Sequence, residues 1–142
     1  MEKTGKDKYC NCLYYSANAL ARMLTKMAED SFGRTGLAPS YGFLLMSVND
    51  KPGIQPKELS EHMQLTPSTV TRLLEKLEYK GLVERSAVGR ATEVRPTSDG
   101  VKLQPLLRES WQNLYKEYSN LLGEDQAKKL TKEIHEASQL MQ

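Results

Sequence analysis

The chain has 142 residues, enough for one compact domain or two small lobes that share a core. Its 39% hydrophobic and 27% charged residues fit a folded chain rather than a disordered one, and a formal net charge of +2 permits an acidic partner without demanding one. No apolar run is long enough to cross a bilayer and the opening MEKTGKDKYCNC lacks the apolar core of a signal peptide, so a cytoplasmic protein with no membrane contact is expected.

The first part reads as helix. From Tyr9 to about Ser31, the residues Leu13, Ala17, Leu20, Leu24, Met27 and Ser31 recur at steps of four and three, which puts them on one stripe. Gly33 and Gly36 stop it. Pro39 suits the first turn of a second helix, with Tyr41, Phe43, Leu44, Leu45 and Val48 as an almost all-round apolar body that predicts burial. Ala38 stands where a hydroxyl cap is usual, and Asn49-Asp50-Lys51-Pro52-Gly53 ends the helix.

Pro56 can open a short helix through Met63, followed by a turn at Gln64-Leu65. Thr66 is a good N-cap and Pro67 a good first helical residue. The helix they start carries Val70, Leu73, Leu74 and Leu77 inward and Ser68, Thr69, Thr71, Arg72, Glu75 and Lys76 outward, until Gly81 caps its end. Leu82–Arg85 and Thr92–Arg95 alternate apolar with polar as half-buried strands do, with Val88-Gly89-Arg90 as the tip between them. After Pro96, Ser98-Asp99-Gly100 starts a long amphipathic helix through Leu103, Leu107, Trp111, Leu114, Tyr118 and Leu122. Gly123 breaks it, and Ala127, Leu130, Ile134, Ala137 and Met141 continue at heptad-like spacing.

The terminal helices carry more apolar stripe than the small middle lobe can cover, and such stripes are buried against something. A second copy is the simplest cover, so a two-fold homodimer is expected ahead of an intramolecular bundle. The fold class is mainly α with a small β-hairpin wing (α+β): a winged helix-turn-helix lobe at 51–96 and a helical dimerisation region formed by 1–50 and 97–142 of a single domain.

Helix, short turn, helix and hairpin is the order of a winged helix-turn-helix. Its second helix needs small polar and basic groups outward to reach base edges and phosphates of double-stranded DNA in the major groove. Ser68, Thr69, Thr71 and Arg72 supply them, at the helix end whose free N–H groups favour a phosphate. Lys76 can follow the backbone, Arg85 can touch it from the first strand, and Gln55 and Lys57 can hold a phosphate from the preceding helix. Arg90 at the tip suits a narrow minor groove. The bland reading of each is a solvated charge or hydroxyl; the helix-turn-helix context favours contact with DNA.

The stretch QPKELSEHMQLTPSTVTRLLEKLEYKGLVERSAVGRATEVRPTSDG resembles the DNA-binding lobe of the MarR family, above all in STVTRLLEKLEYKGLVER at Ser68–Arg85 and in PTSDG after the wing. The likeness extends to LAPSYGFLLM at Leu37–Met46 and over nearly the whole chain. It implies a homodimer that binds a palindrome-like operator, as a repressor released by a small-molecule inducer or a redox signal. It also implies a ligand pocket near Tyr14, Tyr41 and Trp111. The wing departs from the family pattern: SAVGRAT is short and keeps only Arg90 where an Asp-x-Arg arrangement is common. CNCLYYSA resembles the first helix of the organic-hydroperoxide-sensing branch and sets Cys10 at the sensing position, although a buried, inert thiol is the commoner fate of a lone cysteine.

Cys10 and Cys12 are too few for a disulfide scaffold or a four-thiolate zinc site, and His62 and His135 show no ligand spacing, so neither metal nor cofactor is expected. On one helix the two thiols would face different ways, which disfavours a disulfide between them. No phosphate-cradling loop or nucleophile–base pair recommends an enzyme. The remaining alternative is a winged-helix protein-interaction module without specific DNA binding, which would need an exposed apolar patch on the lobe. The polar outward face of Ser68–Lys76 argues against it.

Overall fold

The computed structural model describes residues 8–142. The leader-free start expected from the sequence falls partly on residues 1–7, which lie outside the described residues. Helix α1 (Leu13–Phe32) begins four residues later than its stripe suggests. Residues 8–11 form a turn instead, in which Cys12 N–H donates to the Tyr9 carbonyl at 2.9 Å and the Ser16 hydroxyl donates to the Cys10 carbonyl at 2.8 Å. Both cysteines are free and exposed ahead of the helix.

A 3-10 turn (Gly33–Thr35) and left-handed Gly36 (φ 75°) redirect the chain. The Thr35 hydroxyl fixes this corner by donating to the Phe32 carbonyl at 2.6 Å and accepting from Leu37 N–H at 3.0 Å. Helix α2 (Pro39–Asp50) buries Gly42, Leu44, Leu45, Met46 and Val48, as its apolar body predicts, and Ala38 supplies no side-chain cap. Gly42 is required there: a Cβ would come within 2.8 Å of the Phe32 ring and 3.3 Å of Leu107.

Helices α3 (Pro56–Met63) and α4 (Pro67–Tyr79) follow, joined by a turn in which Gln64 takes a left-handed conformation (φ 54°). That turn is held by Leu65 N–H donating to the Ser60 carbonyl at 3.1 Å. Thr66 caps α4 by accepting from Thr69 N–H at 3.4 Å, and the inward row Val70, Leu74 and Leu77 is fully buried while Leu73 is half-buried.

Strands β1 (Val83–Val88) and β2 (Ala91–Pro96) pair antiparallel from Val83↔Pro96 to Val88↔Ala91, so the ladder runs farther toward the tip than side-chain alternation indicates. Gly89 (φ 61°) and Arg90 form the turn. Ile54 adds an antiparallel bridge to Val94, with Val94 N–H donating to the Ile54 carbonyl at 2.9 Å. Helix α5 (Ser98–Lys102) is capped by the Thr97 hydroxyl, which accepts from Gly100 N–H at 3.1 Å and donates to the Gly81 carbonyl at 2.6 Å.

Helix α6 (Gln104–Leu122) is separated from α5 at Leu103, where the sequence reads as one run. The reason is Pro105, which has no N–H to give the Val101 carbonyl. Gly123 (φ 87°) then divides α6 from α7 (Glu124–Leu140).

Two compact units result. The unit Ser31–Gln112 takes in more than the 51–96 lobe, because α2 packs its buried leucines with those of the helix-turn-helix; its core includes Phe32, Leu44, Leu45, Val48, Ile54, Leu59, Leu74, Leu77, Val94 and Leu107. The other unit comprises the described residues up to Asp30 together with Asn113–Gln142, and it buries Ala28, Leu114 and Ala127. On its helices Leu13, Leu121, Ile134 and Leu140 are 73%, 78%, 48% and 87% exposed in the single chain, so its apolar stripes are only partly covered.

Candidate nucleic-acid interface

Helix α4 is fixed by its inner side. With Val70, Leu74 and Leu77 locked into the core, a helix turning about 100° per residue must present Ser68, Thr71, Arg72 and Glu75 outward. All four are exposed. Thr69, expected outward, is half-buried, and its hydroxyl shares a 2.8 Å hydrogen bond with that of Thr66. The Thr71 hydroxyl donates to the Pro67 carbonyl at 3.0 Å, which leaves its lone pairs and methyl facing solvent. Arg72 makes no ion pair among the described residues, so its five donors are available to an incoming acceptor.

The other cations differ in how they are held. Lys76 lies with its Nζ 5.5 Å from the centre of the Tyr41 ring, a cation–π distance that ties α4 to α2. Arg85 is engaged at home: its Nε and Nη2 donate to Glu78 Oε1 at 3.1 and 2.8 Å, clamping the first wing strand to the end of α4. The hydrogen bond from Arg85 holds the Glu78 carboxyl below the usual carboxylate range, and the same bond raises the Arg85 guanidinium. Arg90 stands exposed at the wing tip. Gln55 and Lys57 are exposed at the start of α3, on a shallow polar cleft of about 500 Å3 shared with Lys51, Gly53 and Glu58. Lys51 is committed there to Glu58, Nζ to Oε1 2.6 Å.

A second cleft, of about 560 Å3, opens behind the helix-turn-helix within the same compact unit. Phe43, Met46, Met63 and Trp111 form its apolar side, and His62, Gln104, Asp50 and Arg108 its polar side. Phe43 and Trp111 meet edge to face at 6.0 Å, and Arg108 Nη2 reaches Asp50 Oδ1 at 3.3 Å across the rim. Of the three aromatic candidates for a pocket, Trp111 lines this cleft. Tyr41 faces Lys76, and Tyr14 sits on the other unit, 79% exposed.

Sequence patterning does not reveal the Glu78–Arg85 clamp, the Lys76–Tyr41 contact or the cleft walls at Phe43, His62 and Arg108. The first joins residues across the Gly81 turn, and the others join separate helices, so no single-element period marks them.

Helix, tight turn, capped helix and a two-strand hairpin closed by an Ile54 bridge define a winged helix-turn-helix protein, with mostly helical flanks. Residues 38–88 match the MarR family. The chain's relatives include the HTH-type transcriptional repressor MdtR of Bacillus subtilis, 28% identical over 80 residues. That match covers 56% of this chain and 52% of MdtR, so it spans about half the length of that relative. Among solved structures, the transcriptional repressor CouR of Rhodococcus jostii, bound to a 23-mer DNA duplex, superposes with a TM-score of 0.85 at 16% identity, covering 96% of this chain and 99% of that one. The PcaV regulator of Streptomyces coelicolor, in complex with its natural ligand, gives 0.85 at 16% identity over 100% of both chains. At these identities the superpositions define the fold. Among the described residues no helix is long and apolar enough to cross a membrane.

Proposed function

We propose that the protein is a transcription regulator that binds double-stranded operator DNA as a cytoplasmic homodimer and is released by a small molecule, acting as a repressor. The observation that carries this reading is the outward face of α4. A capped helix N-terminus, uncovered hydroxyls and an uncommitted guanidinium stand on a rigid inner row of leucines and valine. Arg72 reads a base edge, while Ser68, Thr69 and Thr71 position the helix N-terminus. Lys57 and Gln55 take backbone phosphate, Lys76 follows the backbone, Arg85 holds the wing in place and Arg90 enters the minor groove. The DNA duplex bound to CouR and the repressor name of MdtR support the same direction for this chain. A docking module is less well supported, because the exposed apolar residues Tyr79 and Val88 are isolated on a polar face.

The half-covered stripes of the terminal helices support the second copy, with the dimerisation region drawn from the helices outside the winged unit, up to Asp30 and from Asn113 on, rather than from all of 1–50 and 97–142. The Phe43–Trp111 cleft is the proposed inducer site, and the ligand-bound PcaV supports a response to a small molecule without bearing on where it binds. Trp111 is the one tryptophan, so phenolic compounds that fill the cleft should change the intrinsic fluorescence while weakening DNA binding. Exposure of the Cys10 thiol keeps a redox signal under test: release by peroxide that disappears in Cys10→Ser would assign the response to that thiol.

The reading is tested by enriching duplexes from random DNA and measuring affinity by fluorescence anisotropy. Arg72→Ala should cost about 1–3 kcal/mol on the enriched duplex and distinctly less on unselected DNA, where only the lost positive charge counts. Equal affinity for both proteins on the enriched duplex would contradict the role given to Arg72.

A further inference from the structure

Glu75 occupies the middle of the outward face of α4. Counting about 100° per residue, it lies about 20° from Ser68 and about 60° from Arg72, and nearly opposite the buried Leu77. The side chain is exposed. Its acidic neighbour one turn on, Glu78, is consumed by Arg85, and Lys76 lies over Tyr41. Arg72, three residues earlier and within reach on a helix surface, forms no ion pair with Glu75, and Glu75 has no salt bridge among the described residues. The face that approaches the duplex therefore carries at its centre a carboxylate with no direct ion-pair partner among the described residues, attracted only through space by Arg85, whose hydrogen bonds go to Glu78.

Such a group is costly near phosphates and near most base edges. Guanine N7 and O6, thymine O4 and adenine N7 are all acceptors and repel it. Two amino groups can satisfy it, cytosine N4 and adenine N6, and adenine sets its N7 acceptor beside the donor. Cytosine offers the donor without that neighbour.

On the reading of α4 as the DNA-binding helix, we propose that Glu75 is a specificity determinant that accepts a hydrogen bond from the N4 amino group of one cytosine per half-site and rejects the other bases there. Arg72 on the same face supplies the guanidinium suited to a guanine nearby, so the pair favours a G·C-containing step. The carboxylate contributes discrimination rather than general affinity, since it opposes phosphate contact everywhere else.

The test enriches random duplexes with the full-length protein and with Glu75→Ala and Glu75→Gln. The wild-type motif should prefer cytosine at one position per half-site by on the order of tenfold over the other bases. In Glu75→Ala that preference should fall to about twofold or less while the other positions keep theirs, and binding to unselected duplex should tighten because a negative charge is gone. In Glu75→Gln the preference should move toward adenine, whose N6 and N7 suit an amide. An alanine variant that enriches the wild-type motif at every position overturns the proposal. So does one that loses all positions together, the mark of a merely structural role. A wild-type protein that enriches no motif would remove the DNA-binding reading itself, and this inference with it; the first two results leave that reading standing.

Discussion

Arg85 shows how a single side chain can look like one thing in the sequence and be held as another in the fold. As an arginine on a wing strand it suits a phosphate, yet its guanidinium spends two donors on Glu78 Oε1. The pair is about one-third exposed on both sides, so its contribution is modest and solvent-screened. Its pH dependence has a definite sign. The Arg85 hydrogen bond lowers the Glu78 carboxyl in the folded state, so the stabilisation is complete above the ordinary carboxylate range and is lost as pH falls through the lowered value. Thermal melts run from neutral pH to below the carboxylate range should therefore show a smaller loss of stability for Glu78→Gln than for the wild type. Identical slopes would mean that the clamp is not formed in solution. Residues such as Arg72 and Ser68 were legible because exposure follows from one helix period. Arg85 and Lys76 were not, because their partners are on other elements, beyond a turn or across a helix pair.

Elements with local punctuation are where sequence and structure agree best. Pro39, Pro56 and Pro67 each open a helix, Thr66 caps α4, and Gly81 (φ 75°) and Gly123 (φ 87°) sit at the ends expected of them. Where tertiary pairing decides, the sequence says less. The α1 start moves from Tyr9 to Leu13 because a turn closed by Ser16 takes over the preceding residues. The hairpin extends to Val88 and Ala91 through backbone pairing alone, on residues whose side chains are mostly exposed. Gly100 belongs to this class too. In the motif PTSDG it reads as part of a helix start, but its lack of a Cβ is what lets α5 lie against the Leu82 carbonyl, where any side chain would collide with backbone. Gly100→Ala should destabilise the winged unit by about 1–3 kcal/mol or more, measured by chemical denaturation, because the obstacle is main chain that cannot swing aside. A variant as stable as the wild type would show that α5 can shift without loss.

At the scale of the molecule, the winged unit is complete in itself, whereas the helices outside it leave apolar surface uncovered. Leu121 near the end of α6 and Leu140 at the end of α7 are almost bare, and Ile134 on α7 is half exposed, so the single chain leaves these apolar side chains without cover. The sequence carried this information as stripes without cover, and a single chain leaves it in the same form. Two subunits related by a two-fold axis would set two copies of α4 side by side, which is what a palindrome-like operator requires. The proposed inducer cleft lies behind that helix pair, bounded by α2, α3 and α6, so a ligand there bears on the elements that support α4.

Methylation interference on an enriched duplex tests the central claim most directly, because methylating guanine N7 blocks the major groove where α4 must lie. Two clusters of interference are expected, related by two-fold symmetry and centred about one helical turn apart, roughly 34–36 Å. A single cluster, or binding indifferent to every modified guanine, would contradict two copies of α4 reading adjacent major grooves.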